Sequence, residues 1–257
     1  MDALVGVVIP TYNRLDETLR AVNSVLNQTA KGIRVVVVDD GSDDYVLSKL
    51  RTALLSLGVQ LLEIPHTGNP SKVRNRGIQE LQNRYVAFLD SDDFWRLDKI
   101  EKQLKRLLDS KSQAVCSNAE ILDEKKMRLL YQDFNKQHIK YNSLINSNKI
   151  VCSSVLIDRA LFLKCGGFPE ATAVQGAEDY AAWLRVSQET DWLYINEPLV
   201  TYSRESIGHF SHQSGQFPEI QAYTDFIEWK HSNTKKKSFK LRIILKIYKL
   251  SLFRWFA

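Results

Sequence analysis

The chain has 257 residues, 44% of them hydrophobic and 25% charged, the composition of an ordinary globular protein with enough length for a large core. Its three cysteines, Cys116, Cys152 and Cys165, form no CxxC pair, which argues against a zinc site or disulfide framework and for a reducing, cytosolic setting. The net charge of +5 sits at the end: nine Lys and Arg occur from Lys230 onward with no acid after Glu228, and setting them aside leaves 26 basic against 30 acidic side chains, not the basic body of a nucleic-acid binder.

No run reads as a signal peptide or as a bilayer-spanning segment. Residues 4–9 form an apolar strand that stops at Pro10-Thr-Tyr-Asn-Arg14, and an amphipathic helix over 15–26 follows. Residues 33–38 are a second strand, closed by Asp39-Asp-Gly-Ser42; Ser42 or Asp43 is placed to cap the next helix, through Leu47, Leu50 and Leu54. Residues 59–64 read as a third strand. Asn69 then suits a helix N-cap with Pro70 in the first turn, and that helix carries Lys72, Arg74, Asn75 and Arg76. The alternation βαβαβαβ predicts an α/β fold, a Rossmann-like, mostly parallel sheet with helices on both faces.

The fourth strand is the most informative stretch. Tyr85-Val-Ala-Phe-Leu89 is apolar enough for burial on both faces, and it runs into Asp90-Ser-Asp-Asp93. In open α/β sheets ligands bind at the carboxyl ends of strands. Three crowded carboxylates there call for a hard divalent cation, magnesium or manganese. The competing use is capping of a helix from near Trp95, a role suited to Asp93. The loops after the strands also supply Tyr12, Asn13, Asp39 and basic residues, a set that fits a nucleotide. There is no GxGxxG and no P-loop lysine motif.

Beyond the lip the pattern loosens. A helix over 97–108, a strand over 114–121, a charged hairpin over 123–128, a strand over 150–157 and a short helix over 159–165 are expected. Gln175-Gly-Ala-Glu-Asp179 opens another helix, residues 192–195 and 199–202 look like two short strands, 206–215 like a loop with His209 and His212, and 217–229 like a helix.

Val8-Ile-Pro-Thr-Tyr-Asn-Arg14, Val37-Val-Asp-Asp-Gly-Ser42, Val73-Arg-Asn-Arg-Gly77, Phe88-Leu-Asp-Ser-Asp-Asp93 and Glu178-Asp179 together resemble the inverting family 2 glycosyltransferases of GT-A fold, most like the bacterial enzymes that build surface-polysaccharide repeat units such as O-antigen or capsule. The resemblance is strong over 4–109 and weaker to about Tyr202. It implies that Tyr12 stacks on a nucleobase, Asp39 accepts its ring N–H, and Pro10, Thr11 and Arg14 line the same pocket. It further places Arg74 on the diphosphate, Asp90 on the ribose side with Ser91 beside it, and Asp92 on a Mn2+ or Mg2+ ion, with His209 as a second candidate ligand. Asp179 is the implied general base. Glu178 either positions that base or contacts the acceptor, and Trp95 either packs or touches the acceptor.

The implied reaction is transfer of a hexose, galactose or glucose, from a UDP-sugar to a glycan acceptor carried on a lipid diphosphate. The halves 1–110 and 111–229 would bind donor and acceptor, and 230–257 would form a basic amphipathic tail. Arg242, Lys246 and Lys249 share one helical face of that tail and Leu241, Ile244, Leu245, Tyr248 and Leu252 the other, the pattern of a helix in the inner membrane interface; a helix docked on the body is the alternative. A cytoplasmic enzyme peripherally bound to the membrane is therefore expected.

Several residues have plainer readings. Asp40 is a turn former, Lys72 and Arg76 are solvated charges, Tyr180 and Trp183 are packing residues, and His66, His138, His212 and His231 belong to the surface. Rival functions are a sugar-1-phosphate nucleotidyltransferase, disfavoured because Pro10–Arg14 has no glycine, a phosphatase using Asp90, and a non-catalytic carbohydrate-binding protein.

Overall fold

The computed structural model describes residues 4–123, 126–203 and 218–233. Valine builds its centre. β1 (Val5–Thr11) and β2 (Ile33–Asp39) run parallel, from Val5 opposite Ile33 to Thr11 opposite Asp39. Val7, Ile9, Val35 and Val37 enter one core, and Val8, Val36 and Val38 the other. That is why these strands read as unbroken apolar runs: both faces are covered. β3 (Gln60–Glu63) and β4 (Tyr85–Phe88) extend the parallel order to β3-β2-β1-β4. Helices α1 (Leu15–Leu26) and α2 (Asp44–Ser56) cover the first face through Ala21, Val22, Val25, Leu50 and Leu54.

The opposite face receives α3 (Pro70–Glu80). Asn69 caps it by accepting bonds from the amides of Ser71 and Lys72, with Pro70 in the first turn as the sequence implied. Gly77 lets the helix lie directly on the sheet, since a Cβ there would stand 2.5 Å from Val8 Cγ1. This close approach fixes the height of Arg74, three residues earlier.

The second half of the sheet is mixed. β5 (Phe94–Trp95) precedes α4 (Lys99–Leu108), and β6 (Ala114–Asp123) carries a hairpin partner, β7 (Lys126–Leu129). Then come β8 (His138–Ile139), α5 (Tyr141–Leu144), β9 (Leu156–Asp158), α6 (Arg159–Lys164), α7 (Glu178–Val186), β10 (Trp192–Ser203) and α8 (Pro218–Asn233). The order is β3-β2-β1-β4-β9-β6-β10-β5, with β7 on β6 and β8 on β10. β9 is antiparallel to both neighbours, so β6 and β10 again point their carboxyl ends the way β4 does. An aromatic cluster of Phe88, Phe162, Phe168, Trp183 and Trp192 ties α7 to the sheet, with Phe88 and Phe168 at 4.8 Å edge to face. Trp183 and Tyr180 are packing residues, as their spacing suggested.

Four local expectations change. The helix near Trp95 starts instead at Lys99, because Phe94–Trp95 pairs with Val200 and Thr201 as a strand. Residues 150–157 are not one strand; Cys152–Ser154 forms a 3-10 turn whose serine hydroxyls bond Asp93 and the Val151 carbonyl. Residues 192–203 are one strand, irregular around Pro198, which has no amide to give the ladder. Finally, α8 extends the body to Asn233: Lys230 bonds Gln188 and lies 5.7 Å from the rings of Tyr141 and Phe226, so it belongs to the body and not to the tail. His209 and the remaining basic tail lie outside the described residues.

Candidate active site

The loops at the carboxyl ends of β1, β2, β3 and β4 meet the first turn of α7. Two of these loops are held by buried aspartates. Asp39 is fully buried; Oδ2 accepts from the amides of Gly41 (3.0 Å) and Ser42 (2.9 Å), and Oδ1 from the Ser42 hydroxyl (2.5 Å). Ser42 Oγ in turn accepts from the Asn13 amide, and Asn13 Oδ1 from the Asp43 amide, both at 2.8 Å. This clamp holds Asn13 at φ 52° and presents Tyr12 beside it, 42% exposed. Asp39 is thus the keystone of the turn. The direct nucleobase contact expected of it is closed in this conformation, because the carboxylate has no exposed surface.

Asp40 does more than turn the chain. Its carboxylate accepts from Thr67 N (2.8 Å), Thr67 Oγ1 (2.9 Å) and Gly68 N (3.0 Å), tying the β3–α3 loop to β2. His66 Nδ1 stands 2.8 Å from the Asp40 carbonyl, and its ring stacks on Tyr12 at 4.4 Å. Gly41, at φ +76°, permits this, since a Cβ there would meet the His66 amide at 2.8 Å. His66 is at the surface, as its sequence reading had it, with its side chain half exposed and one ring face against Tyr12. Thr11 is corrected. It is buried, and its hydroxyl bonds Thr18 Oγ1 at 2.6 Å, tying β1 to α1 rather than lining a pocket. Pro10 is half-buried at the strand end.

The acidic lip splits into four roles. Asp90 receives Arg74 Nη2 at 2.6 Å, and Asp92 receives Arg14 Nη1 at 2.6 Å. The Arg14 expected in the base pocket is thus found on the lip instead. Arg20 Nη2 holds the Asp92 carbonyl at 2.7 Å. Asp93, fully buried, accepts from Ser153 Oγ at 2.5 Å, while the same hydroxyl accepts from the Asp90 amide. Asp93 therefore braces the lip and caps no helix. Ser91, the residue expected beside Asp90 on the donor, is buried.

Arg74 is the hub between the two halves. It is 6% exposed, with Nη1 on Glu178 Oε1 at 2.9 Å and the guanidinium 5.3 Å from the Phe168 ring. Burial alone would weaken its proton affinity, but Asp90 and Glu178 outweigh that and hold its pKa well above the ordinary value. Glu178, also buried, spends Oε2 on the Gly176 amide at 2.7 Å. Each of its oxygens accepts one bond, so it braces the turn that opens α7. Trp95 likewise belongs to the core: 3% exposed, its indole N–H donates to the Ser153 carbonyl at 2.8 Å and its ring lies under Lys99 Nζ.

Asp179 differs from these. It is half-buried, and the Tyr180 amide donates to Oδ1 at 2.6 Å. Loss of hydration and the neighbouring Glu178 charge push its carboxyl up to about 7, against the opposing pull of Arg74. The fold thus holds this carboxyl above the ordinary aspartate range.

Two tyrosines absent from the sequence reading join the site. The pairing of Thr201 with Phe94 brings the next residue, Tyr202, beside Asp93. Burial and then Asp93, Asp90, Asp92 and Asp179 raise its phenol. Tyr131 is pushed up to about 12 by burial, with Cys116 and Asp179 contributing. Neither carries a sequence signal, because strand pairing and a long connection bring them in. Among the described residues no group of three or more His, Cys, Asp or Glu side chains is arranged to hold an ion.

A parallel sheet whose carboxyl end gathers an exposed aromatic ring, paired acids and arginines, and a carboxyl poised near neutrality is the site of a group-transfer enzyme. Residues 6–161 match the description of the family "Glycosyl transferase family 2", and the chain belongs to that family; it is a glycosyltransferase. That assignment sets aside the nucleotidyltransferase, phosphatase and non-catalytic readings. Two Escherichia coli relatives are named UDP-Glc:alpha-D-GlcNAc-diphosphoundecaprenol beta-1,3-glucosyltransferase. WfgD is 28% identical over 88% of this chain and 86% of its own length. WfaP is 30% identical over 84% of this chain and 82% of its own. The GT-A fold is shared with residues 1–349 of S. aureus TarS in complex with UDP-GlcNAc, at TM-score 0.71 and 17% identity over 94% of this chain and 76% of that one.

Proposed function

We propose that this enzyme moves a hexose, with glucose first and galactose second, from a UDP-sugar to an N-acetylhexosamine carried on a lipid diphosphate, with inversion, in surface-polysaccharide synthesis. The donor and acceptor follow the names of the two Escherichia coli relatives. The observation that carries the chemistry is the ion-pair chain Asp90–Arg74–Glu178, which joins the acidic lip to the turn bearing Asp179, a carboxyl raised by burial and by Glu178.

In this reading Tyr12 takes the base face to face, while Asp39 acts on the base through the turn it holds. Arg74 and Arg14 face the diphosphate. Asp92, with Asp90 beside it, would hold Mn2+ or Mg2+. Their oxygen donors and partial exposure, 18% and 28%, suit a hard ion. A pair, rather than a cage, suits an ion that completes its shell with water and substrate phosphate. Arg74 Nε, buried without an acceptor in the structure, supports a further anionic partner at this point. The ion, when bound, offsets the charge growing on the leaving diphosphate. Asp179 takes the proton from the acceptor hydroxyl as that oxygen attacks the anomeric carbon from the face opposite the diphosphate. Tyr202 and Tyr131 flank the attacking side and give the acceptor sugar an aromatic and hydrogen-bonding wall.

The basic segment after Asn233 supports attachment to an anionic inner-leaflet surface, where such an acceptor resides; no helix among the described residues is long and apolar enough to cross a membrane. The test is a donor screen with Mn2+ and a synthetic lipid-diphosphate GlcNAc acceptor, the product linkage read by NMR. A β-linked glucose or galactose is expected. Absence of transfer from every UDP-hexose, with transfer from another nucleotide sugar, contradicts the donor assignment.

A further inference from the structure

Both arginines of the site sit on carboxylates of the acidic lip, but they are held very differently. Arg74 is buried, bonded to Asp90 and Glu178 and stacked on Phe168. Arg14 is 22% exposed and reaches one acid, Asp92 Oδ2, at 2.6 Å. Its backbone is pinned on both sides. Asn13 is clamped by Ser42 and Asp43, and the Arg14 carbonyl accepts from Thr18 Oγ1. The Asp92 backbone is held separately, by Arg20 on its carbonyl. Arg14 can therefore leave Asp92 by side-chain rotation alone, with neither loop moving.

We propose that Arg14 is the exchangeable counter-cation of Asp92. Before donor arrives it neutralises the carboxylate that would take the divalent ion. When the ion is bound to Asp92, the displaced guanidinium turns to the diphosphate beside it. The inference rests on the reading of Asp92 as an ion ligand and goes beyond it by giving Arg14 two successive partners. Its physical basis is competition of two cations for one carboxylate. A guanidinium at 2.6 Å and a divalent ion on the same carboxylate repel each other, and a partly exposed pair held by one hydrogen bond is weak enough to yield. Arg74, bonded to two acids and almost wholly buried, cannot make the same exchange. Ion and nucleotide then bind with positive coupling, because each takes one half of a pair the other has broken.

The test measures Mn2+ binding to the full chain by the EPR signal of free Mn2+, with and without UDP. Without nucleotide, Arg14→Gln binds Mn2+ roughly fivefold more tightly than wild type, since no internal cation competes. UDP tightens Mn2+ binding to wild type and tightens it less in Arg14→Gln. Arg14→Lys, which keeps the charge and serves if the glutamine variant does not fold, stays within about twofold of wild type without UDP. An Arg14→Gln protein that binds Mn2+ no better than wild type overturns the exchange. Wild type without Mn2+ binding, or Asp92→Asn binding as well as wild type, overturns instead the ion-ligand assignment beneath it.

Discussion

The two halves of this site use the same residue, aspartate, for opposite purposes. On the β2 loop, Asp39 and Asp40 are surrounded by donors: backbone amides of Gly41, Ser42, Thr67 and Gly68, and two hydroxyls. Their charge is spent on holding loops. On α7, Asp179 has one amide and a like-charged neighbour, and its carboxyl is pushed up to about 7. Burial raises the Asp179 carboxyl first and the Glu178 charge second, and its single amide donor does not offset them, whereas each β2-loop acid has several donors of its own. Arg74 ties α7 to the acidic lip through Glu178 and Asp90 and is the first place to test the contrast.

Arg74→Met carries the largest expected effect on stability. It strands Glu178 and Asp90 without their cation, and breaking such a pair from one side costs about 3–5 kcal/mol. Urea unfolding reads this directly. Lysine does not rescue it, since an ammonium cannot make the same forked contact to both acids. Next is Asp40→Ala, which leaves the Thr67 and Gly68 amides and Thr67 hydroxyl without their acceptor, costing about 1–3 kcal/mol. Because the loop bears His66 against Tyr12, the KM for donor rises while kcat changes little.

Asp179→Asn sharpens the contrast by its pH dependence. Its carboxyl is raised from 3.8 to about 7 in the fold, so the folded state disfavours the ionised form. Stability is lost as pH climbs between those values. The asparagine variant therefore melts a few degrees higher than wild type at about pH 8 and equally at about pH 4. A lower melting temperature for the variant at both pH values contradicts the assigned shift.

The first half was legible because its signals are local. β-α units put Tyr12, Asp39, Arg74 and Asp90 at strand ends, on loops or in the first two turns of a helix, and Asn69-Pro70 announces its own helix. The second half depends on contacts far apart in sequence. Ser153 turns an expected strand into a brace for Asp93, sixty residues away. Arg74 reaches Glu178, more than a hundred residues away, whose role the sequence left open between positioning the base and contacting the acceptor. Trp95 is buried because β5 pairs with β10, and Asp93 loses its capping role for the same reason. Tyr202 enters through that pairing as well. Residue type alone carried none of these, since each was decided by which distant partner supplied a donor or closed a strand edge.

The central claim is that Asp179 is a base poised near neutrality. The measurement that reaches it most directly is the pH dependence of kcat/KM for wild type beside the rate and UDP affinity of Asp179→Asn. The account predicts activity rising with pH through a limb near about 7, as the carboxyl ionises. It also predicts a loss of roughly 10³-fold in kcat for the asparagine variant with UDP binding within about twofold of wild type. A flat profile across this range, or an asparagine variant within a few-fold of wild-type rate, contradicts it.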